Sequence, residues 1–287
     1  MSRSLRFAFL VTAIVGLVTG TVATLAQGHF RWGWPEVPRA QGEAIRPDTM
    51  QSWHLSYRER VRSAIIREPQ NSWSNLAFVF VGALVFARDR RTHGQSLGVA
   101  LFTLGFASGL YHASLLPAWR TVDVAAMGWV VFALGFFACS SVWPEAPLFP
   151  CRPAIQMLVS VIGLILAAGA AVFRNEVRIG GIKPLAVTYI TGAGVAVIFG
   201  LLTFILVTAR RHSNIHLRLF PRLGLLGVIT LAAILCQLGD HPDQLLFQPD
   251  AFIQAHAVWH VLMALAAYLA YDTFSRIAAP AMGSRTI

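Results

Sequence analysis

The sequence predicts an all-α polytopic membrane protein: a bundle of seven transmembrane helices, with one extra hydrophobic helix or signal segment at the N-terminus. The 287 residues are 56% hydrophobic and only 13% charged, which is far from the balance of a soluble domain. Seven apolar runs follow an N-terminal one. In lipid, such runs form helices, because a helix pairs its own backbone N–H and C=O groups. These runs cover about residues 72–87, 96–115, 122–142, 155–173, 184–208, 223–238 and 255–274.

The N-terminal apolar run, Leu5 to Ala26, is preceded by Arg3 and is long enough to cross a bilayer. It is either a retained transmembrane helix or a secretory signal; its length favours a retained helix, because signal cores are typically shorter. We predict a transmembrane or signal segment at residues 1–27 and an outer polar segment at 28–70. A seven-helix membrane domain follows at 71–275, and a cytoplasmic tail at 276–287.

The positive charges predict how the bundle is oriented. A net charge of +10 would suggest nucleic acid as the partner of a soluble protein, but here the arginines lie mostly between apolar runs, so we predict no nucleic-acid binding. The loops at residues 88–91 and 210–222 are rich in arginine, whereas residues 239–254 contain no Lys or Arg. If the first segment is retained, both termini are therefore predicted to be cytoplasmic, although the predicted outer loop 174–183 carries three positive charges.

Cysteine usage indicates no disulfide framework and no zinc knuckle. The three cysteines are odd in number and widely spaced along the chain, so we interpret them as packing residues. They are Cys139, Cys151 and Cys236.

Ionisable and polar residues at membrane depth are costly and mark functional sites. In the predicted orientation they all fall at the outer ends of their helices, whereas histidines with scattered structural roles would fall at both ends. This clustering predicts a site on the outer side. Its members are Glu68, Asn71, Ser108, His112, Asp123, His256 and His260.

The residue types indicate a zinc hydrolase. His256 and His260 are four residues apart and share one helix face, and His112 would complete a set of three nitrogen ligands. Zinc held in this way keeps a fourth position for water and lowers the pKa of that water to about 7. Ala257 stands where zinc proteases have their catalytic Glu, so Asp123 is predicted as the base. The Ser108 hydroxyl would hold the water or the oxyanion.

Each candidate also has a structural explanation. The His256 and His260 side chains could bond carbonyls across the bundle, and Ser108 could bond its own backbone. His112 could cap a helix end, and Asp123 could favour the dipole at a helix N-terminus. The remaining histidines are expected to be solvated: His29, His54, His93, His212, His216 and His241.

Three segments together resemble the Ser, His, Asp and His-x-x-x-His signature of the alkaline ceramidases: FASGLYH at 106–112, DVAAM at 123–127 and HAVWH at 256–260. EPQNSWSN at 68–75 is similar to the segment that opens their first core helix. The resemblance covers about residues 57–271. The wider seven-helix hydrolase superfamily also includes the adiponectin and progestin receptors and a GPI-anchor lipid-remodelling family.

The resemblance implies a zinc-dependent amidase that cleaves ceramide-like membrane lipids to a sphingoid base and a fatty acid. It implies zinc at His112, His256 and His260, assisted by Ser108 and Asp123. It also implies a calcium (Ca2+) site of acids, in which Glu68 matches the last member and Glu59 is a candidate for an earlier one. The Asp-Trp-Cys-Glu pattern of the animal enzymes is absent. Asp240 resembles a further acid of the family, without an assigned role.

Two other functions are compatible with these residues. A hydrolase of a phospholipid or GPI-lipid ester would use the same five side chains, and a non-enzymatic seven-helix receptor or haem-binding protein could use two histidines as axial ligands. High Arg content with a single lysine, Lys183, favours a bacterial protein from a GC-rich genome. We therefore predict the inner membrane, with the site towards the periplasm. The sequence leaves the oligomeric state open.

Overall fold

The computed structural model describes residues 2–26, 66–142, 156, 158–165, 216–240, 246 and 251–283, and every regular element in these ranges is helical. Residues 158–165 are helical, and seven further helices are bounded as follows: α1 Arg3–Ala26, α2 Pro69–Ser74, α3 Leu76–Arg88, α4 Thr92–Ser114, α5 Pro117–Val142, α6 His216–Gly239 and α7 Ala255–Gly283.

Four of these helices are long and apolar enough to cross a membrane, and they mark the chain as an integral membrane protein. The candidate spans are Thr92–Ser114, Trp119–Ser141, Pro221–Gly239 and Ala255–Arg276. The predicted run 184–208 lies outside the described residues, and so does most of the run 155–173. The all-helical class is therefore confirmed in the described ranges, while the count of seven spans stays a prediction.

The first predicted core run is divided into α2 and α3 at Asn75. Polar side chains in this stretch bond nearby backbone carbonyls: Ser72 Oγ donates to Glu68 O at 2.7 Å and Ser74 Oγ to Asn71 O at 2.9 Å. Such local bonds compete with a regular helical ladder. The division places a short polar helix directly before the apolar helix α3.

Helix α1 packs antiparallel on α3. Ser4 Oγ donates to Ala87 O at 3.3 Å near the end of α3, and the rings of Phe9 and Phe80 lie 4.9 Å apart. The buried Ala8 packs with residues of α3 in the same cluster. Whether α1 is a retained span or a signal stays a prediction, and the predicted outer segment 28–65 and the tail beyond 283 lie outside the described residues.

Glycines allow α3 and α4 to cross with their backbones in contact. A Cβ added at Gly82 would lie 2.5 Å from Phe102 N, and one added at Gly98 would lie 2.7 Å from Phe86 N. Small residues at such crossings are common between membrane helices, because van der Waals contact holds the helices together there. The crossing fixes the position of α4, which carries Ser108 and His112 at its far end.

Charged side chains gather at the helix ends opposite to the histidine candidates. Asp272 of α7 accepts hydrogen bonds from Arg222 of α6 and from Arg276, the latter at 2.9 Å. Arg88 Nη1 donates to Tyr268 OH at 2.6 Å. Arg88 and Arg222, one from each arginine-rich stretch, therefore both approach Asp272 at one end of the bundle, and the assignment of this end to the cytoplasm stays a prediction.

His93 differs from its expected solvation. It lies in the first turn of α4 with only 7% of its surface exposed, and its ring lies 5.4 Å from that of Phe137. The helix begins at Thr92, earlier than the apolar run suggests, and this draws His93 into the core.

We expect Gly98→Ala to lower the free energy of unfolding by about 1–3 kcal/mol, because the added methyl group meets backbone atoms of α3 that cannot move aside. Gly135→Ala is the matched control, since a Cβ there would have no atom of the described residues within 4 Å. The control should be neutral or stabilising by up to about 1 kcal/mol, from helix propensity alone. Thermal unfolding of both variants in detergent checks this, and equal unfolding midpoints would contradict it.

A candidate metal centre of three histidines

The three predicted histidines lie together at one end of the bundle. His112 is in the last turn of α4, and His256 and His260 are in the first two turns of α7. All three are at least 98% buried, and one nitrogen from each lies within 4.8 Å of the others. The i, i+4 spacing places the two histidines of α7 on one face, as expected.

Residues 66–68 position Glu68 against His112. Backbone N–H groups of Arg67 and Glu68 donate to Ala113 O and His112 O, at 3.1 and 3.2 Å. These carbonyls are at the C-terminal end of α4, where a helix lacks its own donors. The Glu68 carboxylate then lies 2.6 Å from His112 Nδ1. An ionised carboxylate only accepts hydrogen bonds, so Nδ1 carries the hydrogen and Nε2 faces away from Glu68.

The other two histidines are oriented in the same way. His256 Nδ1 lies 3.1 Å from Gln237 Oε1, an acceptor at the end of α6. His260 Nδ1 lies 2.8 Å from Ser74 Oγ. Because the Ser74 hydroxyl gives its hydrogen to Asn71 O, it accepts from His260. The Asn75 amide nitrogen, 3.4 Å from His260 Nδ1, is itself a donor and gives a hydrogen to Asn71 O at 2.8 Å. Acceptors such as Gln237 Oε1 and Ser74 Oγ fix the tautomer of metal-binding histidines.

With all three Nδ1 atoms donating, three Nε2 lone pairs converge. The Nε2 atoms of His112 and His256 are 3.3 Å apart, and His260 Nε2 has no hydrogen-bond partner among the described residues. Converging lone pairs repel in the absence of a cation. Tetrahedral zinc with Zn–N bonds of about 2.0–2.1 Å requires nitrogens about 3.3–3.4 Å apart. The three histidines can therefore hold a metal ion, and the distance of 3.3 Å between the Nε2 atoms of His112 and His256 agrees with the spacing that zinc requires.

Ser108 and Asp123 line a small polar cavity beside the histidines, of about 280 Å³. Both side chains are buried. Asp123 is not in the first turn of its helix, because α5 begins at Pro117 and has no acid there. An interaction with the helix dipole, which fades beyond the first turn, therefore does not explain its burial.

A second, apolar cavity of about 830 Å³ adjoins the first and extends along α7 as far as Ala270. Its wall is hydrocarbon except near the histidines and at Thr230, whose hydroxyl donates to Leu226 O at 2.8 Å. Five residues border both cavities and define the junction between them: Ser108, Asp123, Met127, Trp259 and His260.

The family model described as Ceramidase matches residues 59–284 of the chain. The chain belongs to the Ceramidase family. This confirms the resemblance stated from the sequence, and the matched range includes the three histidines, Ser108 and Asp123. A comparison with curated proteins finds no match.

Sequence reasoning missed the partners that orient two of the histidines in this ceramidase-family site. Gln237 is a lone amide in the apolar run of α6, and Ser74 belongs to the polar segment EPQNSWSN. Both are polar residues at membrane depth, a signal that was available. Glu68, predicted as a calcium ligand, contacts His112. Glu59 lies outside the described residues, and the calcium site stays a prediction.

We expect Ser74→Ala to weaken zinc binding about 10-fold or more, because loss of a partner that orients a ligand typically costs 10- to 100-fold in metal affinity. Ser72→Ala is the matched control: its hydroxyl also bonds a backbone carbonyl, that of Glu68 just before α2, and it makes no hydrogen bond to a histidine within the described part of the chain. Competition with a zinc chelator on both purified variants checks the difference. Equal affinities would show that Ser74 does not orient His260.

Proposed function

We propose that this protein is a zinc-dependent ceramidase, which hydrolyses the amide bond of ceramide-like lipids to a sphingoid base and a fatty acid. The observation that carries the proposal is the convergence of three oriented imidazoles at the head of an apolar cavity, in a member of the Ceramidase family. The donors suit zinc, and the cavity suits a lipid chain.

His112, His256 and His260 would hold the metal. Zinc bound by three neutral imidazoles polarises a carbonyl group and lowers the pKa of a water molecule in the open position. The chain supplies the orientation of these ligands through Glu68, Gln237 and Ser74. It also supplies a buried surrounding, in which charges interact more strongly than in water.

Asp123 is the residue we assign to proton transfer. Its carboxylate borders both cavities, so it can accept a proton from water and return it to the nitrogen of the departing amine. Ser108, one helical turn before His112, would donate its hydroxyl hydrogen to the lipid oxygen. These roles require the scissile bond to lie at the junction of the two cavities.

The lipid would reach this junction from the membrane. An acyl chain in the apolar cavity keeps its hydrocarbon out of water while its carbonyl lies beside the histidines. We place the site towards the periplasmic side of a bacterial inner membrane, because the arginine-rich end of the bundle is the opposite one. The division of the chain into segments stays a prediction.

We expect His260→Ala to lose both bound zinc and ceramide hydrolysis while remaining folded in detergent, because two nitrogens alone hold zinc poorly. His93→Phe, which changes a buried histidine at the other end of α4, should retain both. Elemental analysis, release of fatty acid and thermal unfolding are the three measurements.

Full zinc and full activity in His260→Ala would contradict the proposal, as would a Soret band in place of zinc in the unaltered protein. Mass spectrometry of products from lipid extracts separates an amidase from an ester hydrolase built on the same residues. Release of a sphingoid base is the expected result.

The cavity also predicts a limit on acyl-chain length. Ala270 borders its far part, ten residues along α7 from His260, which is about 15 Å at 1.5 Å per residue. We expect Ala270→Phe to reduce hydrolysis of long-chain ceramides at least 10-fold while sparing short-chain ones. Leu265→Phe, on the exposed face of α7, is the control. An unchanged chain-length profile in Ala270→Phe would place the acyl chain elsewhere.

A further inference from the structure

The indole N–H of Trp259 is buried without an acceptor. Trp259 is only 6% exposed, and its Nε1 has no hydrogen-bond partner among the described residues. An indole N–H can only donate, and leaving such a donor unpaired in an apolar surrounding costs about 1–3 kcal/mol. Trp129 is the contrast in the same chain, because its Nε1 donates to Ser160 Oγ at 3.3 Å. Among the described residues, the N–H of Trp259 therefore lacks a hydrogen-bond acceptor, whereas the N–H of Trp129 has one.

The position of Trp259 indicates what its donor is for. It borders both the polar and the apolar cavity, and it directly precedes His260. Its ring stacks on that of His256, with centroids 5.0 Å apart and planes 20° apart. Held between two histidines of α7, the indole has little freedom to turn towards another acceptor. The acceptor for the indole N–H is therefore expected to belong to a molecule bound at the junction of the two cavities.

We propose that Trp259 Nε1 binds the carbonyl oxygen of the scissile acyl group, an inference that rests on the proposed hydrolysis of acyl lipids. An acyl chain in the apolar cavity has its carbonyl at the junction, where the chain ends and the polar cavity begins. A carbonyl oxygen only accepts hydrogen bonds. At the junction the donors are the Ser108 hydroxyl and the Trp259 N–H, while the Asp123 carboxylate can only accept.

This hydrogen bond strengthens during the reaction. The carbonyl oxygen gains negative charge as water attacks the carbon, and a fixed N–H donor stabilises that charge more than it stabilises the neutral lipid. Loss of the donor should therefore appear mainly in kcat. Trp259 would act on the acyl group itself and so be indifferent to hydroxyl groups on the sphingoid part.

The test is Trp259→Phe, which removes the N–H and keeps an aromatic ring against His256. The substrates are an N-acyl sphingosine and an N-acyl alkylamine with the same acyl chain and no hydroxyls. We expect kcat to fall about 10- to 100-fold, and equally, for both, with zinc content and thermal midpoint unchanged. Trp129→Phe, the matched control with a partnered N–H, should keep its full kcat.

Three results would overturn the inference: an unchanged kcat, a loss confined to the hydroxylated substrate, or a loss of zinc that assigns the indole to the support of His256. If Trp259→Phe does not fold, β-(3-benzothienyl)alanine at this position has the shape of Trp without the N–H and carries the same expectations.

An acyl ester lipid assayed in parallel separates this inference from the proposed function. If the unaltered protein cleaves the ester and not the amide, the ceramidase proposal fails. Trp259→Phe is then judged on the ester, which also presents a carbonyl, with the same expected loss of kcat. If the unaltered protein cleaves neither lipid, both proposals fail together.

Discussion

The hydrogen bond between Glu68 and His112 is the interaction on which the site depends. It joins the segment before α2 to the end of α4 at 2.6 Å, in a position that is 98–99% buried. The backbone bonds beside it close the end of α4 and bring α2 alongside. Ser74 of α2 thereby reaches His260 of α7. The Glu68 carboxylate thus sets the tautomer of His112 directly. By positioning α2, it also allows Ser74 to set the tautomer of His260, so that the Nε2 atoms of both histidines are left free of hydrogen.

Local patterns in the sequence predicted that His256 and His260 share a helix face and that the candidate residues lie at the same end of the bundle. They did not predict the side chains that orient the histidines. The i, i+4 spacing of His256 and His260 follows from helix geometry, and the arginine-rich loops indicate which helix ends lie together. The hydrogen bond that His260 Nδ1 donates to Ser74 Oγ joins residues 186 positions apart, and no local pattern encodes such a contact. The sequence also did not predict that α5 begins at Pro117, because hydropathy marks the lipid core rather than the helix end. This early start places Asp123 beyond the first turn, where the helix dipole does not explain its burial.

Two buried atoms of α7 at the junction have no hydrogen-bond partner among the described residues, and their chemistry is complementary. His260 Nε2 is a buried acceptor and Trp259 Nε1 a buried donor, in adjacent residues of one helix. A buried polar atom without a partner is costly, so each one needs an explanation, and a ligand that supplies the missing partner is one. A cation for the acceptor and a carbonyl oxygen for the donor are the pair that a metal-assisted acyl hydrolase brings together.

One face of α7 carries this pair and the wall of the apolar cavity as well. His256, Trp259, His260 and Met263 recur at helical spacing, and the same face continues through Ala266, Ala267 and Ala270. Along this stripe the two histidines and the indole N–H come first, and apolar side chains follow. Because a helix is rigid over such a length, the distance from the histidines to the far end of the apolar cavity is fixed within one element. Under the proposed function, helix α7 alone would therefore determine both where the lipid amide lies and how long an acyl chain the cavity accepts.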